Sequence, residues 1–262
     1  MKKSCNNMTS SVWVVLFTAL AAVTALALCG GCAKKQSEIK LSAAEGTGEF
    51  GVYYAKLFSI EYLPDGVKLL SDYSGRRCLL VPRGVEAPDN FTSSSIEHDL
   101  LVFTPVKKAL YTSTTQVSFL DVLEENDDAE YDIEENSLYD SVAAVTMPQD
   151  QWDLAPIEER MRDGKTAYIA RNSMGTIDIE SAITLQPDII FAEPAVMGMG
   201  DNLALFEAAG LPYAVVCEWE EGENRASFEW IKFIAAFYNK DAEADAIFRQ
   251  QLARLDELAR LT

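Results

Sequence analysis

The chain has 262 residues and carries 41 acidic against 22 basic side chains, which gives a formal net charge of −19. A surface this acidic repels phosphate backbones, so nucleic-acid binding is excluded as a leading function. Hydrophobic residues make up 48% of the sequence and charged residues 24%, as is typical of a globular protein of one or two domains.

Residues 1–32 are typical of a secretory signal. Two lysines precede an apolar stretch of 17 residues, 12–28, which is followed by Cys29-Gly-Gly-Cys32. A basic start, an apolar middle and small residues at the end indicate export. The glycine before Cys32 resembles a bacterial lipoprotein signal, which implies lipidation of Cys32 and an anchor on the outer face of the cell envelope. Lipidation of Cys29 and an uncleaved membrane anchor are the alternatives.

Two cysteines, Cys78 and Cys217, remain once the signal is set aside. A disulfide between them is permitted in an exported protein. Cys217, however, ends a segment that is typical of a buried strand, so we predict two separate buried thiols. No cluster of residues has the spacing of metal ligands, and the sequence predicts neither a metal site nor a cofactor.

Residues 33–52 are small and polar, which predicts a flexible tether. In the next predicted segment, 53–105, apolar residues alternate around 58–62, 67–69 and 78–81. Turn residues separate these runs, so we predict a small antiparallel meander of two or three strands packed on the domain that follows.

Strands and helices alternate through residues 106–238. This pattern predicts an α/β fold, a doubly wound and mostly parallel sheet of about five strands with helices on both faces. Helical periodicity then continues through 239–262 with an apolar stripe that something should cover. The predicted strands are 109–111, 141–146, 166–169, 188–192 and 213–217, and the predicted helices are 115–123, 155–162, 179–185 and 202–209.

An acidic insert at 124–135 lacks the glycine and the aspartate spacing of a calcium loop, so we predict a solvated surface loop. The only histidine, His98, lies before the first parallel strand, where we expect a loop. No Gly-x-Ser-x-Gly motif exists to serve as its nucleophilic partner, and no second carboxylate is placed by sequence to pair with Glu193. We therefore predict that the protein is not an enzyme.

Ligands of open parallel sheets bind at the carboxyl ends of the strands. The loops expected there carry threonines that can cap a helix and present amides to an anion, together with tryptophans and methionines that suit a broad, partly apolar organic ligand. For any single methionine or tryptophan, local packing is the competing interpretation. The candidate ligand-binding residues are Thr114, Thr115, Gln116, Trp152, Met174, Glu193, Met197, Trp219 and Arg225.

Four segments together resemble the substrate-binding proteins of ABC importers for iron-siderophores and cobalamin, the class III periplasmic binding protein family. They are Ser113-Thr-Thr115, the stretch 177–193 with its Pro187-Asp188 turn, Gly210-Leu-Pro212, and Glu229-Trp230-Ile-Lys-Phe233. The resemblance implies a lipid-anchored receptor for a ferric siderophore or a corrinoid that works with ABC permease subunits.

Glu180 stands where that family has a glutamate that pairs with arginines of the permease, so the resemblance implies a docking role for it. The family usually has an arginine shortly before the Glu229-Trp230 pair, whereas Ser227 occupies that position here and Arg225 lies two residues earlier.

The family also has two lobes joined by a long helix, and residues 239–262 resemble the start of that helix. We therefore expect an amino-terminal lobe without the second lobe, and no high-affinity capture of a chelate by this chain alone. An envelope protein-interaction module derived from such a lobe is the alternative function.

Overall fold

A computed structural model describes residues 50–85, 96–125, 137–194 and 200–261. The predicted signal with Cys32, most of the predicted tether and most of the acidic insert lie outside the described residues, as does Met197. Among the helices that the structure describes, none combines the length and the apolar character needed to cross a membrane.

The first sheet has four strands, and one of them was not predicted. Strands β1 (Ser59–Tyr62), β2 (Lys68–Ser71) and β3 (Arg77–Pro82) form the predicted antiparallel meander. Strand β4 (Leu100–Thr104) adds to β3 in parallel. Because β4 follows a long connection, no hairpin turn marks it in the sequence; the predicted meander is confirmed with three strands, and β4 extends its sheet by a parallel strand that was not predicted.

The second sheet is the predicted parallel one. Its strands are β5 (Ala109–Tyr111), β6 (Val142–Val145), β7 (Ala167–Tyr168), β8 (Ile189–Ala192) and β9 (Tyr213–Val215). All neighbouring pairs are parallel, in the order β7-β6-β5-β8-β9. Strands β6 and β7 therefore lie on one side of β5, and β8 and β9 lie on its other side. The topological switch point lies between β5 and β8.

Six α-helices accompany the sheets in the described part of the chain. They are α1 (Thr114–Glu125), α2 (Ala155–Arg162), α3 (Ile179–Leu185), α4 (Asn202–Ala209), α5 (Asn224–Ala236) and α6 (Asp241–Leu261). The four helices predicted between strands are thus confirmed, α1 being slightly longer than expected, as is the long helix at the end.

Successive residues of the central strands pack into different cores, which places helices on both faces of the parallel sheet. Leu110 and Ile190 pack in one core with Phe206 of α4. Tyr111 and Phe191 pack in the other core, which includes residues of α1, α5 and α6. A strand with both faces covered is apolar throughout, which explains the continuous run Ile-Ile-Phe-Ala in β8.

The Pro187-Asp188 turn fixes the start of β8 beside β5. The Asp188 carboxylate accepts hydrogen bonds from the backbone amides of Lys107 at 2.7 Å and Lys108 at 3.1 Å. The amide of Asp188 in turn donates to the carbonyl of Lys108 at 2.8 Å. Ala109 and Ile189 therefore begin their strands in register, so the turn has a structural role at the switch point.

A buried carboxylate joins the two sheets. Asp72 follows β2 and accepts hydrogen bonds from the amides of Ser74 and Arg76 in its own turn and from Val215 of β9, the last at 2.7 Å. Burial raises the pKa of Asp72, and these hydrogen bonds to its charged form oppose the rise. The meander is thus held against the β9 edge by a specific contact.

The residues between the predicted tether and β1 are held by a buried ion-pair centre, here called the Lys232 centre and formed by Glu229, Lys232 and Asp245. Glu229 accepts hydrogen bonds from the amides of Tyr53, Tyr54 and Ala55 at 2.7–2.9 Å. The Lys232 ammonium lies 3.1 Å from Glu229 Oε1 and 2.9 Å from Asp245 Oδ1. These charges join the start of the described chain to α5 and α6.

The two remaining cysteines, Cys78 and Cys217, are free and buried, as predicted. Helix α6 is buried only along its first turns, through Ala244, Ile247 and Phe248. Leu255 and Leu258 further along this helix are exposed. The predicted apolar stripe is therefore covered in part by the described residues.

Candidate binding pocket

A pocket of about 140 Å³ opens at the carboxyl edge of the parallel sheet, next to the switch point. The loops after β5, β7, β8 and β9 line it, together with the start of α4. This is the position at which open α/β sheets bind ligands. The lining residues that carry the argument below are Thr112, Arg171, Glu193, Gly200, Asn202 and Trp219.

Arg171 connects the ends of four strands. Its Nη2 donates to the Glu193 carboxylate after β8 at 2.8 Å and to the carbonyl of Thr112 after β5. Its Nε donates to the hydroxyl of Thr146, which follows β6, at 3.1 Å. Arg171 itself follows β7, so its guanidinium connects residues at the ends of four strands at the base of the pocket. Because three of its N–H groups are used in these bonds, few donors remain for a ligand.

Thr112 holds Glu193 in place. The Thr112 hydroxyl donates to the carbonyl of Phe191 at 3.0 Å and accepts from the amide of Glu193 at 3.0 Å. The backbone and the carboxylate of Glu193 are therefore both fixed before any ligand arrives. Such preorganisation reduces the entropic cost of binding.

A tight loop between β7 and α3 forms one wall of the pocket. The Asn172 side chain accepts hydrogen bonds from the amides of Met174 and Thr176, and Gly175 has a positive φ of 75°. Asn202 of α4 then holds this loop, because its side-chain amide donates to the Gly175 carbonyl and accepts from the Ile177 amide.

Gly200 packs against this loop so closely that a side chain would not fit. A Cβ atom at Gly200 would lie 2.0 Å from the hydroxyl of Thr176. The Gly200 amide also donates to the Met174 carbonyl at 2.7 Å. The glycine is therefore required by close approach rather than by its backbone conformation.

The structure brings two of the nine candidate ligand-binding residues, Glu193 and Trp219, to the pocket lining. Met174 contributes its backbone to the adjacent loop while its side chain is exposed. Trp219 follows β9, and 46% of its surface is exposed beside the pocket. Met197 lies outside the described residues.

The expectation that all these loops form one rim needs correction at the amino end of α1. Gln116 is fully buried, and its Oε1 accepts from the amides of Thr112 and Ser113, as in a capping box. Thr114 and Thr115 lie in the first turn of α1 and do not line the pocket. Gln116 therefore stabilises a helix end from within the core.

Trp152 and Arg225 are also placed away from the pocket lining. Trp152 is buried, its indole N–H donates to the Met147 carbonyl at 3.1 Å, and it borders a separate polar hollow. Arg225 pairs with Asp256 of α6 at 2.9 Å. In both cases a local partner accounts for the side chain's position.

Glu180 is exposed in the first turn of α3, where its side chain is accessible to a partner. His98 lies in a loop, as predicted, and is half-buried, with its Nδ1 2.9 Å from the Ile96 carbonyl. Among the described residues, no group of three or more histidine, cysteine or acidic side chains could hold a metal ion.

Sequence reasoning missed Thr112, Arg171, Gly200 and Asn202 as residues of the site. Arg171 and Thr112 had a usable signal, since each stands within three residues of the end of a predicted strand. Gly200 and Asn202 had none, because their importance comes from contacts with a loop about 25 residues earlier in the chain.

Strand order and parallel registers define a doubly wound α/β domain with a pocket at the carboxyl edge of its sheet. No family model matches the chain. Over 184 residues it is 24% identical to an uncharacterized lipoprotein of Methanocaldococcus jannaschii, an alignment that covers 70% of this chain and 42% of that protein. The chain thus spans about two fifths of the length of this curated relative.

Among solved structures, the chain is similar to a periplasmic heme binding protein from Pseudomonas aeruginosa, with 14% identity, a TM-score of 0.40, and coverage of 59% of this chain and 46% of that one. A petrobactin-binding protein from Bacillus subtilis is 17% identical with a TM-score of 0.39, and the match covers 71% of this chain and 47% of that one. The heme binding protein HmuT is 14% identical with a TM-score of 0.41, and the match covers 74% of this chain and 47% of that one. The fold assignment rests on the strand order and registers above.

Proposed function

We propose that this protein is a non-enzymatic, lipid-anchored solute receptor of an ABC importer for an iron-siderophore or a related metal chelate. The observation that carries the proposal is the preorganised pocket at the switch point of the sheet, where a fixed Arg171–Glu193 pair lies beside the exposed face of Trp219. An aromatic face next to a few fixed polar groups suits a partly apolar ligand, and a pocket of about 140 Å³ would hold one part of it.

Two further features support the cellular part of the proposal. The predicted signal ends in Cys32, and the curated relative is a lipoprotein. We assign Cys32 as the lipidated residue, the outer face of the envelope as the location, and permease subunits as the partners. Glu180 is the docking residue in this assignment because it is exposed on α3.

Trp219 provides the direct test of ligand binding. Equilibrium dialysis of the full chain against a ferric trihydroxamate, a ferric triscatecholate, hemin and cobalamin should show saturable, low-affinity binding of at least one of them. The bound chelate should also quench the fluorescence of Trp219, so Trp219→Phe should lose most of the change in emission. Trp152→Phe is the matched control and should retain it. Absence of saturable binding for all four compounds would overturn the proposal.

The docking and anchoring assignments have separate tests. Glu180→Arg should reduce chelate uptake by cells while leaving the dissociation constant of the purified protein unchanged.

Cys32→Ser should move the protein from the membrane fraction to the soluble envelope fraction. Normal uptake by the first variant, or membrane retention of the second, would contradict the corresponding assignment.

The alternative, an envelope module that binds a protein partner, is favoured by Leu255 and Leu258, two exposed leucines on α6. It predicts that Leu258→Glu abolishes co-purification of that partner and leaves chelate binding unchanged.

A further inference from the structure

The carboxyl edge of the parallel sheet carries an uneven distribution of charge. By sequence, the described loop residues that follow the strands there, 112–113, 146–154, 169–178, 193–194, 200–201 and 216–223, contain nine carboxylates and one basic residue, Arg171. Four of the carboxylates follow β9 in the segment around Trp219. A ligand that approaches this edge therefore meets a negative potential.

The single guanidinium does not offset that potential. Arg171 is bound to Glu193 at 2.8 Å, to the hydroxyl of Thr146 and to the carbonyl of Thr112. A pair of opposite charges in contact presents little net charge to a third group, so the pocket floor is close to neutral.

The residues around Trp219 add negative charge at the pocket mouth. Glu220 is exposed directly after Trp219. Glu218, on its other side, is buried, and among the described residues its Oε2 has no hydrogen-bond partner. An exposed indole face next to carboxylates favours a cation, through both the ring quadrupole and the charges.

We propose that this pocket accepts a neutral or cationic chelate, such as a ferric trihydroxamate, and rejects a trianionic one such as a ferric triscatecholate. Three hydroxamates neutralise one ferric ion, whereas three catecholates leave three negative charges on the complex. This inference rests on the proposed function and adds to it the class of chelate that is bound.

The test compares chelates that differ in charge, using the full chain in detergent and equilibrium dialysis. The probes are a ferric trihydroxamate that bears a free ammonium group, a neutral cyclic ferric trihydroxamate and a ferric triscatecholate. Either trihydroxamate should bind at least roughly tenfold more tightly than the triscatecholate at low salt, and the preference should shrink as salt is added.

Glu193→Gln should reduce this preference by roughly tenfold, because it releases the charge of Arg171 towards the ligand. Glu159→Gln on α2 is the matched control: it removes the same charge from an exposed site outside the pocket and should change the ratio of affinities by less than about twofold. Glu220→Gln is a second variant, at the exposed residue directly after the pocket-lining Trp219; it leaves the Arg171 contacts intact and should shift the ratio in the same direction.

The outcomes separate the two proposals. Tighter binding of the triscatecholate would overturn the charge preference while the receptor function stands. The same would follow if the ratio changed no more in Glu193→Gln and Glu220→Gln than in Glu159→Gln. Failure to bind any of the three probes, hemin or cobalamin would overturn the proposed function itself, and this inference with it.

Discussion

Two ion-pair centres in this protein use the same chemistry at very different depths. At the Lys232 centre the side chains of Lys232, Glu229 and Asp245 are 2%, 0% and 7% exposed. At the pocket, those of Arg171 and Glu193 are 24% and 32% exposed. The charges at both centres also bind backbone groups of distant segments, but only the pocket charges line an open pocket. The depth of burial therefore separates a structural role from the proposed binding role.

The largest expected effect comes from breaking the buried centre. Lys232→Met removes the only described cation in contact with Glu229 and leaves that buried carboxylate without a counter-charge, whereas Asp245 keeps its pairing with Arg249 at 2.6 Å. We expect a loss of about 3–5 kcal/mol in the free energy of unfolding, measured by urea denaturation. Arg171→Met, the matched change at the pocket, should cost about 1 kcal/mol. Equal losses for the two variants would remove the distinction between the centres.

The contacts of neither centre could be derived from the sequence, and the reason is the distance along the chain between the charged residues and the backbone groups that they bind. Glu229 binds the amide of Tyr53, which is 176 positions away, and Arg171 binds the carbonyl of Thr112, which is 59 positions away. Periodicity describes neighbours within about ten residues, so it contains no information about such pairs. Periodicity did place Glu193 and Trp219 at the carboxyl edge of the parallel sheet, because the position of a residue after a strand is a local property.

The fold was more accessible to prediction for the same reason. Helices α2, α3 and α4 begin and end at the predicted residues, and β5 matches its prediction as well. Their signals are local, such as Asp178 and Asp201 as caps and Gly210 in the left-handed conformation after α4. Strand β4 was missed because it pairs with β3 in parallel and is therefore reached through a long connection, not through a hairpin turn.

The effect of burial at the pocket edge can be measured through Cys217, which lies two residues before Trp219. Burial raises the pKa of this thiol from 9.0 to about 12, and the nearby Glu220 adds to the rise. The unfolded chain loses the proton near pH 9 while the folded chain retains it. The stability that this thiol contributes is therefore complete below pH 9 and is lost as the pH rises towards 12.

Cys217→Ala should remove that dependence. Between pH 9 and pH 11 the free energy of unfolding of the variant should fall less steeply than that of the unmodified chain, by about 1.4 kcal/mol per pH unit. Urea titrations at several pH values provide the measurement. Parallel pH profiles would show that the thiol is ionised as readily in the folded protein as in the unfolded one.

A third ion pair, which is more exposed than the other two, extends the comparison between burial and stability. Arg225 and Asp256 are paired at 2.9 Å with side-chain exposures of 35% and 53%. Arg225→Gln should therefore cost less than about 1 kcal/mol in urea denaturation. Since Arg225 lies away from the pocket lining, the variant should also bind chelates with unchanged affinity. Weaker binding without loss of stability would restore Arg225 as a ligand-binding residue.

The smallest expected effect is on the quenching of tryptophan fluorescence, and the free energy of unfolding should not change. Trp230 is fully buried, with its indole N–H bound to Glu221, whereas Trp219 is exposed beside the pocket. Acrylamide should therefore quench the emission of Trp219 readily and that of Trp230 poorly. Trp219→Phe should remove most of the quenchable signal, while Trp152→Phe, a change at a buried residue, should retain it. Strong residual quenching in Trp219→Phe would mean that the pocket edge in solution is not the open surface on which the binding role depends.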